Sequence, residues 1–319
     1  AVPARRHVGF PAGGYFIQRS GWGTDRPYED ERFLIFDCGP LGDGGHGHYD
    51  QLSVEVAALG RPLLVDPGRF TYAETGPNWR HWFKGTAAHN TVLVDGLDQT
   101  PYARRKPKGL VAAGRLVARA TAPDLDLIVG TCSSPSYDAL HTRAVIFVAG
   151  EYWLVADYLA ARQPRVYQLR WHLSAEAGNG AAMCPDAPGL VVGRGFNLLC
   201  DRVGALHIED GWVAPSYGVK HAAPIVVMTV PAISTTFVTV IVPRASDPGR
   251  APRLRVLRRP SRHTDPFVAE VQGTGPDGAS VDTLMWASCC VPMTVGEFQG
   301  TARAAWSRVD GAGRAVRAA

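Results

Sequence analysis

The sequence predicts an all-β protein built as one large antiparallel β-sandwich. Three observations predict it. Short β-type runs recur along the chain, and several alternate apolar and polar residues with the period of a half-buried strand. Turn residues separate the runs, and 35 glycines and 24 prolines in 319 residues interrupt any sustained helical period. With 46% hydrophobic and 19% charged residues, the chain can fill a sizeable core and falls outside the disordered class.

The runs follow in order. The early ones are Gly14–Ser20, Arg32–Asp37, Leu52–Ala57 and Thr91–Asp95. Then come Leu125–Gly130, Arg143–Val148, Tyr152–Ala156, Val166–His172, Ile225–Val230 and Phe237–Val242. In the run 166–172, Tyr167, Leu169 and Trp171 share one face; Val166, Gln168, Arg170 and His172 share the other. The nearest approach to a helix is one or two turns at Trp79–Lys84. No fixed repeat suggests a propeller or solenoid. No linker divides the chain, so residues 1–319 are expected to form a single domain. Within it, the Arg/Pro-rich stretch 243–262 reads as a long surface loop, and Val309–Ala319 as a frayed Gly/Ala/Arg-rich tail.

Composition narrows the function. The longest apolar stretches, Pro224–Val230 and Thr235–Pro243, are strand-sized, so no membrane-spanning helix is expected. The net charge is +4, and Lys84, Lys106, Lys108 and Lys220 are the only lysines, an arginine bias typical of GC-rich genomes. A mild positive balance suits an anionic polymer. No dense basic block with interleaved aromatics points to nucleic acid. The six cysteines form no CxxC pair and read as small buried residues. The chain begins without Met or a signal region, so it is expected to start inside a gene product or after processing.

Chemistry concentrates in residues 39–98. A Gly-rich loop carries His46, His48 and Asp50; Asp66 ends the apolar run Arg61–Val65; His89 and Asn90 lead into the next strand. Glycines let backbone approach closely. In His-x-His, both rings can face one side if the loop enters a strand. Imidazole and carboxylate are the usual zinc ligands where thiols are absent. Neighbouring strands could therefore bring His48, Asp66 and His89 to one ion, with Asp50, Gln51 or Asn90 orienting them from behind. Tyr72 and Arg80 could contact a sugar and its carboxylate. Each histidine alone is more often a hydrogen-bonded structural residue, and His172 beside Trp171 is the strongest exception among the others. No G-x-S-x-G elbow, P-loop, HExxH helix or dinucleotide fingerprint is present.

This segment resembles the heparinase II/III family of polysaccharide lyases. The Gly45-His46-Gly-His48-x-Asp50 loop, the Gly60–Gly68 strand end and the Arg80…Thr86–Gly96 block carry the likeness. Gly9…Trp22 and Arg143…Asp157 extend it. The resemblance implies a C-terminal β-sandwich that works with an N-terminal (α/α) toroid, a domain absent from this sequence. It implies β-elimination on a uronic-acid-containing polysaccharide, such as a glycosaminoglycan or a bacterial exopolysaccharide. It places His48, Asp66 and His89 at the ligand positions of one structural zinc. His46 falls at the substrate-facing histidine that helps neutralise the uronate or move a proton. The family's catalytic Tyr and its partner lie in the toroid; none of Tyr49, Tyr72 and Tyr102 matches them. The chain alone is therefore expected to be inactive. The competing readings are a non-catalytic carbohydrate-binding sandwich with a structural metal, and a metallohydrolase using Asp50 as base. Polysaccharide breakdown suits a periplasmic or secreted setting, with a cytoplasmic one left open. Exposed sheet edges could pair two copies as a homodimer.

Overall fold

A computed structural model describes residues 3, 5–42, 45–244, 252–260, 265–273, 279–296 and 298–318. Its strands form three antiparallel sheets. The first is a meander of β1 (Val8–Phe10), β2 (Tyr15–Arg19), β3 (Arg32–Asp37), β4 (Val54–Ala58) and β5 (Arg61–Leu64). The helix α1 (Trp79–Lys84) follows where the sequence placed one or two turns.

Next come β6 (Val92–Val94), β7 (Ala113–Ala122), β8 (Leu125–Ser133), β9 (Leu140–Val148) and β10 (Tyr152–His172). They are followed by β11 (Ala182–Met183), β12 (Leu190–Gly193), β13 (Phe196–Cys200), β14 (Ala205–Ser216) and β15 (Val219–Pro243). These ten make one sheet in the order β11-β12-β13-β15-β10-β9-β8-β7, with β14 pairing β15 and β6 pairing β10. The last sheet is a meander of β16 (Arg253–Arg258), β17 (Phe267–Gln272), β18 (Val281–Val295), β19 (Phe298–Val309) and β20 (Ala315–Ala318).

The large sheet lies between the other two, so the sandwich has three layers. One core joins its Phe147, Trp153 and Val155 to Phe36, Val54 and Val56 of the first sheet. The other joins Ile146, Leu154 and Val240 to Phe267, Trp286 and Trp306 of the last. A strand buried on both faces needs apolar residues at every position. That is why the central runs at 143–148 and 152–156 do not alternate.

Two pairs of runs merge into long strands. Tyr152–Ala156 and Val166–His172 both belong to β10, and Ile225–Val230 and Phe237–Val242 both belong to β15. The two strands pair from Trp153↔Ile241 to His172↔Ile225, with a register shift between Ala160 and Arg165. Such an irregularity bends a strand without ending it. The far half of β10 behaves as its alternation predicts: Tyr167, Leu169 and Trp171 are fully buried in the first core.

Two expectations change. The stretch 243–262 is not simply a loop, because Arg253–Arg258 pairs with β17; residues 245–251 and 261–262 lie outside the described residues. The tail is not frayed at 315–318, where Ser307↔Ala318 and Arg308↔Arg317 pair. Its side chains are all exposed, so backbone bonding and an Arg317–Asp124 ion pair at 3.6 Å hold it, and hydrophobic patterning could not reveal it. Of the cysteines, Cys38, Cys132 and Cys200 are buried, Cys184 and Cys289 half-buried and Cys290 exposed; all are free thiols.

One charged cluster crosses the first core. Arg143 and Asp157 are both fully buried, and the guanidinium donates to both Asp157 oxygens at 2.6 and 3.1 Å. His141 Nε2 lies 2.6 Å from the same carboxylate. Arg143 Nη1 also donates to the carbonyls of Leu52 (2.6 Å) and Asn90 (2.5 Å). Leu52 has φ 65°, a left-handed conformation that a side chain resists, so this bond helps fix a strained residue beside the site.

Candidate metal and substrate site

Three segments meet at one end of the first sheet. The His46–Asp50 loop runs into β4 and is tied to α1, because Tyr49 N donates to Lys84 O at 2.9 Å. Asn78 caps α1 by accepting from His81 N at 3.0 Å. A short 3-10 turn, Thr86–Ala88, then delivers His89 in extended conformation, and Thr86 Oγ1 donates to Tyr49 O at 2.7 Å. Asp66 follows β5 and accepts from Gly68 N at 2.8 Å. Gly68 is required here: its φ is 78°, and a Cβ would stand 2.5 Å from Ala214 O.

These segments bring His48, Asp50, Asp66 and His89 together, with one potential ligand atom from each lying within 4.8 Å of all the others. His89 is fully buried, and its Nδ1 lies 2.9 Å from Asp66 Oδ2. The His48 and His89 rings are 5.1 Å apart. The cleft above them has a volume of about 280 Å³ and is also lined by Tyr15, Asp37, His46 and Glu55.

The electrostatics fit a divalent cation. Burial pushes Asp37 up to about 7, with the Asp50 carboxylate adding to it. Burial likewise raises Asp50 and Glu55. Desolvation would raise Asp66 too, but His89 outweighs it and holds Asp66 below its usual range. Burial and the neighbouring His89 hold His48 down to about 4, so its ring is neutral and able to coordinate. Burial opposes charge on His89, yet Asp66 lifts it to about 8. His89 Nε2 is buried without a hydrogen-bond partner. Crowded carboxylates, a neutral imidazole and an unsatisfied imidazole nitrogen make a donor set suited to one bound ion.

Beside this cluster stands a second group. His46 is exposed, and its Nδ1 lies 2.9 Å from the Tyr72 hydroxyl. Arg69 donates to the same hydroxyl, and its guanidinium carbon sits 4.2 Å from the Tyr72 ring centroid. Arg80 lies 5.1 Å from that centroid and donates to Tyr72 O at 3.4 Å. Tyr217, on the turn joining β14 to β15, faces Tyr72 with ring centroids 6.0 Å apart.

Every sequence-predicted site residue is therefore in one region. Asp50 offers an oxygen within the same candidate ligand set. Asn90 touches no ligand side chain by hydrogen bond. Its Nδ2 donates to Val54 O and Val65 O, and its Oδ1 accepts from His172 N, which locks β4, the Asp66 segment and β10 together. His172 itself bonds Ala87 O at 3.0 Å and supports the segment before His89. Tyr49 and Tyr102 serve the scaffold: Tyr49 accepts from Ala103 N, and Tyr102 donates to Glu74. Sequence reasoning missed Arg69 and Tyr217. Arg69 was findable, lying directly after the matched Gly60–Gly68 strand end and before Tyr72; Tyr217 is 145 residues from Tyr72 and carries no local signal.

Comparison with known proteins now decides the family. Residues 2–256 match the heparinase II/III-like C-terminal family. The chain belongs to that family. This heparinase II/III-like domain also resembles solved structures in fold. The Heparinase III-BT4657 gene product is 20% identical with a TM-score of 0.72, over 90% of this chain and 43% of its own. Heparan sulfate lyase HepC from Pedobacter heparinus is 21% identical with a TM-score of 0.69, over 85% and 42%. A further heparinase III structure is 18% identical with a TM-score of 0.72, over 89% and 43%. The domain thus spans less than half the length of these relatives. No curated protein sequence matches it.

Proposed function

We propose that this chain is the β-sandwich part of a polysaccharide lyase that cleaves a uronic-acid-containing polymer by β-elimination. The observation that carries this reading is the cluster of His48, Asp50, Asp66 and His89 directly beside the His46–Tyr72–Arg69 group. His48, Asp66 and His89 would hold one zinc ion, with Asp50 within reach as a fourth donor. When bound, the ion would tie three loops together and fix the wall from which His46 projects.

The reaction breaks a C–H bond α to the uronate carboxylate, forms a C=C bond, expels the glycosidic oxygen from the β-carbon and returns a proton to that oxygen. Removing that proton requires the carboxylate charge to be neutralised. Arg69 and Arg80 flank Tyr72 and offer planar donors suited to a carboxylate. Arg69 donates to the Tyr72 oxygen, which directs the phenolic hydrogen toward His46 Nδ1. A proton taken at one end of this pair can leave from the other. A helical (α/α) domain, as the likeness to longer chains suggests, would supply the opposite wall and the remaining proton-transfer group.

The test uses the full-length protein and the ultraviolet absorbance of the unsaturated product on mixed uronate polymers. His46→Ala should keep zinc and lose turnover, whereas His48→Ala should lose zinc and stability. Zinc retained in His48→Ala would sink the ligand assignment. Absence of product from every uronate polymer would favour a non-catalytic carbohydrate-binding sandwich.

A further inference from the structure

Next to Arg80 lies a feature that the cleavage site does not use. Residues 104–108 read Arg-Arg-Lys-Pro-Lys, four positive charges in five residues. The whole chain carries a net charge of +4, so the remaining residues sum to zero. The chain's positive excess is therefore equal to the charge of this one run.

The run is exposed, and most of it is unpaired. Arg104 Nε reaches Glu74 Oε2 at 3.5 Å. Among the described residues, no acid lies within 4.0 Å of Arg105, Lys106 or Lys108. Like charges packed this closely repel one another, so an anionic partner would be bound favourably.

The run is also held in place. Ala103 N donates to Tyr49 Oη at 2.9 Å, and Lys84 Nζ donates to Ala103 O at 3.2 Å. Arg80 Nη2 donates to Arg104 O, coupling the run to the guanidinium that flanks Tyr72. The far end is closed by Ala112 N donating to Thr100 Oγ1 at 2.9 Å. The run is thus anchored on both sides, at Ala103 and Arg104 beside Arg80 and at Ala112.

We propose that residues 104–108 form an anion-binding subsite for sugar units beyond the cleaved bond, taking the carboxylate or sulfate-ester groups of an acidic polysaccharide. The inference rests on the lyase reading for its ligand class. It narrows that reading to polymers charged at units other than the reacting one.

The test is the salt dependence of binding by this chain, measured by fluorescence anisotropy between 50 and 200 mM salt. The probes are labelled heparin, alginate, dextran and single-stranded RNA, and the variant is R105Q/K106Q/K108Q. Wild type should bind heparin or alginate and not dextran. The variant should lose about tenfold in affinity at the lowest salt, and its log K against log salt slope should flatten by about 2–3. Flattening with both acidic polymers means that any anionic group suffices; flattening with heparin alone assigns the subsite to sulfate esters. An unchanged slope with both overturns the subsite while leaving His46-dependent turnover intact. A loss confined to RNA would overturn the polysaccharide assignment. A flattened slope beside absent lyase activity in the full-length protein would instead place the failure in the lyase reading.

Discussion

Replacing Arg143 with Met removes the ion pair that braces the site from inside the core. The substitution keeps approximate length but leaves Asp157, which is fully buried, without its guanidinium. Stranding one member of a buried pair costs about 3–5 kcal/mol. The carbonyls of Leu52 and Asn90 also lose their donor, at about 1 kcal/mol or more each. The lower ends of these ranges give a loss of about 5 kcal/mol. At about 2.1 cal/mol/K of unfolding entropy per residue over 319 residues, that corresponds to about 7 °C in Tm. The remaining partner, His141, supplies a control. Burial holds its pKa below the ordinary value, Asp157 pulls it up and Arg143 pushes it down. Without Arg143, His141 should take up a proton more readily and pair with Asp157 as an imidazolium. The deficit of the variant should therefore be largest near pH 8 and shrink as pH falls toward 6. Thermal unfolding of wild type and Arg143→Met at both pH values is the assay. A Tm loss below about 2 °C at pH 8, or a deficit that widens on acidification, would refute the reasoning.

Other expectations follow from single contacts. Burial, together with Arg170 and His89, holds His172 down to about 3, so it stays neutral in the fold while the unfolded ring titrates near 6.5. Its contribution is complete above pH 6.5 and falls by about 1.4 kcal/mol per pH unit below it. His172→Gln should therefore flatten the acid limb of the stability curve, and parallel curves for variant and wild type would contradict this. If zinc binds as proposed, it would have to displace a proton from His89, which Asp66 keeps charged up to about 8, so affinity should climb toward pH 8 and level off above it. Isothermal titration across pH 6–9 reads this directly, and affinity that falls over that range would contradict the geometry. Gly130→Ala would put a Cβ 2.7 Å from Cys38 Sγ and 2.8 Å from Leu52 and Phe36. Overpacking should lower stability by about 1–3 kcal/mol in denaturant unfolding, and a neutral effect would mean that this part of the core yields.

Local pattern was enough for part of this protein. The apolar run bounded by Arg32 and Asp37 located β3 residue for residue, and the face assignment in 166–172 follows from the pleat alone. The short helix was legible because no other stretch breaks the strand texture around it. The site's residue types were legible too, because histidines and aspartates in a Gly-rich loop and at strand ends stand out from an apolar background.

What the sequence could not decide is non-local. Nothing in the runs at 152–156 and 166–172 says that one bulged strand contains both, since register depends on the partner strand. The third layer was not read from the sequence although β17 to β19 carry buried apolar residues such as Phe267, Trp286 and Trp306, because which sheet such strands join is set by partners far along the chain. Asn90 reads as a possible ligand partner in sequence, yet tertiary packing makes it a backbone clamp between three strands. Tyr217 reaches Tyr72, and Arg143 reaches Asn90, only because sheets pack face to face. The sequence by itself determined the strand texture, the family and which residues are candidates for the site. Only the tertiary structure decided which of those side chains converge, because that depends on pairing between residues far apart in the chain.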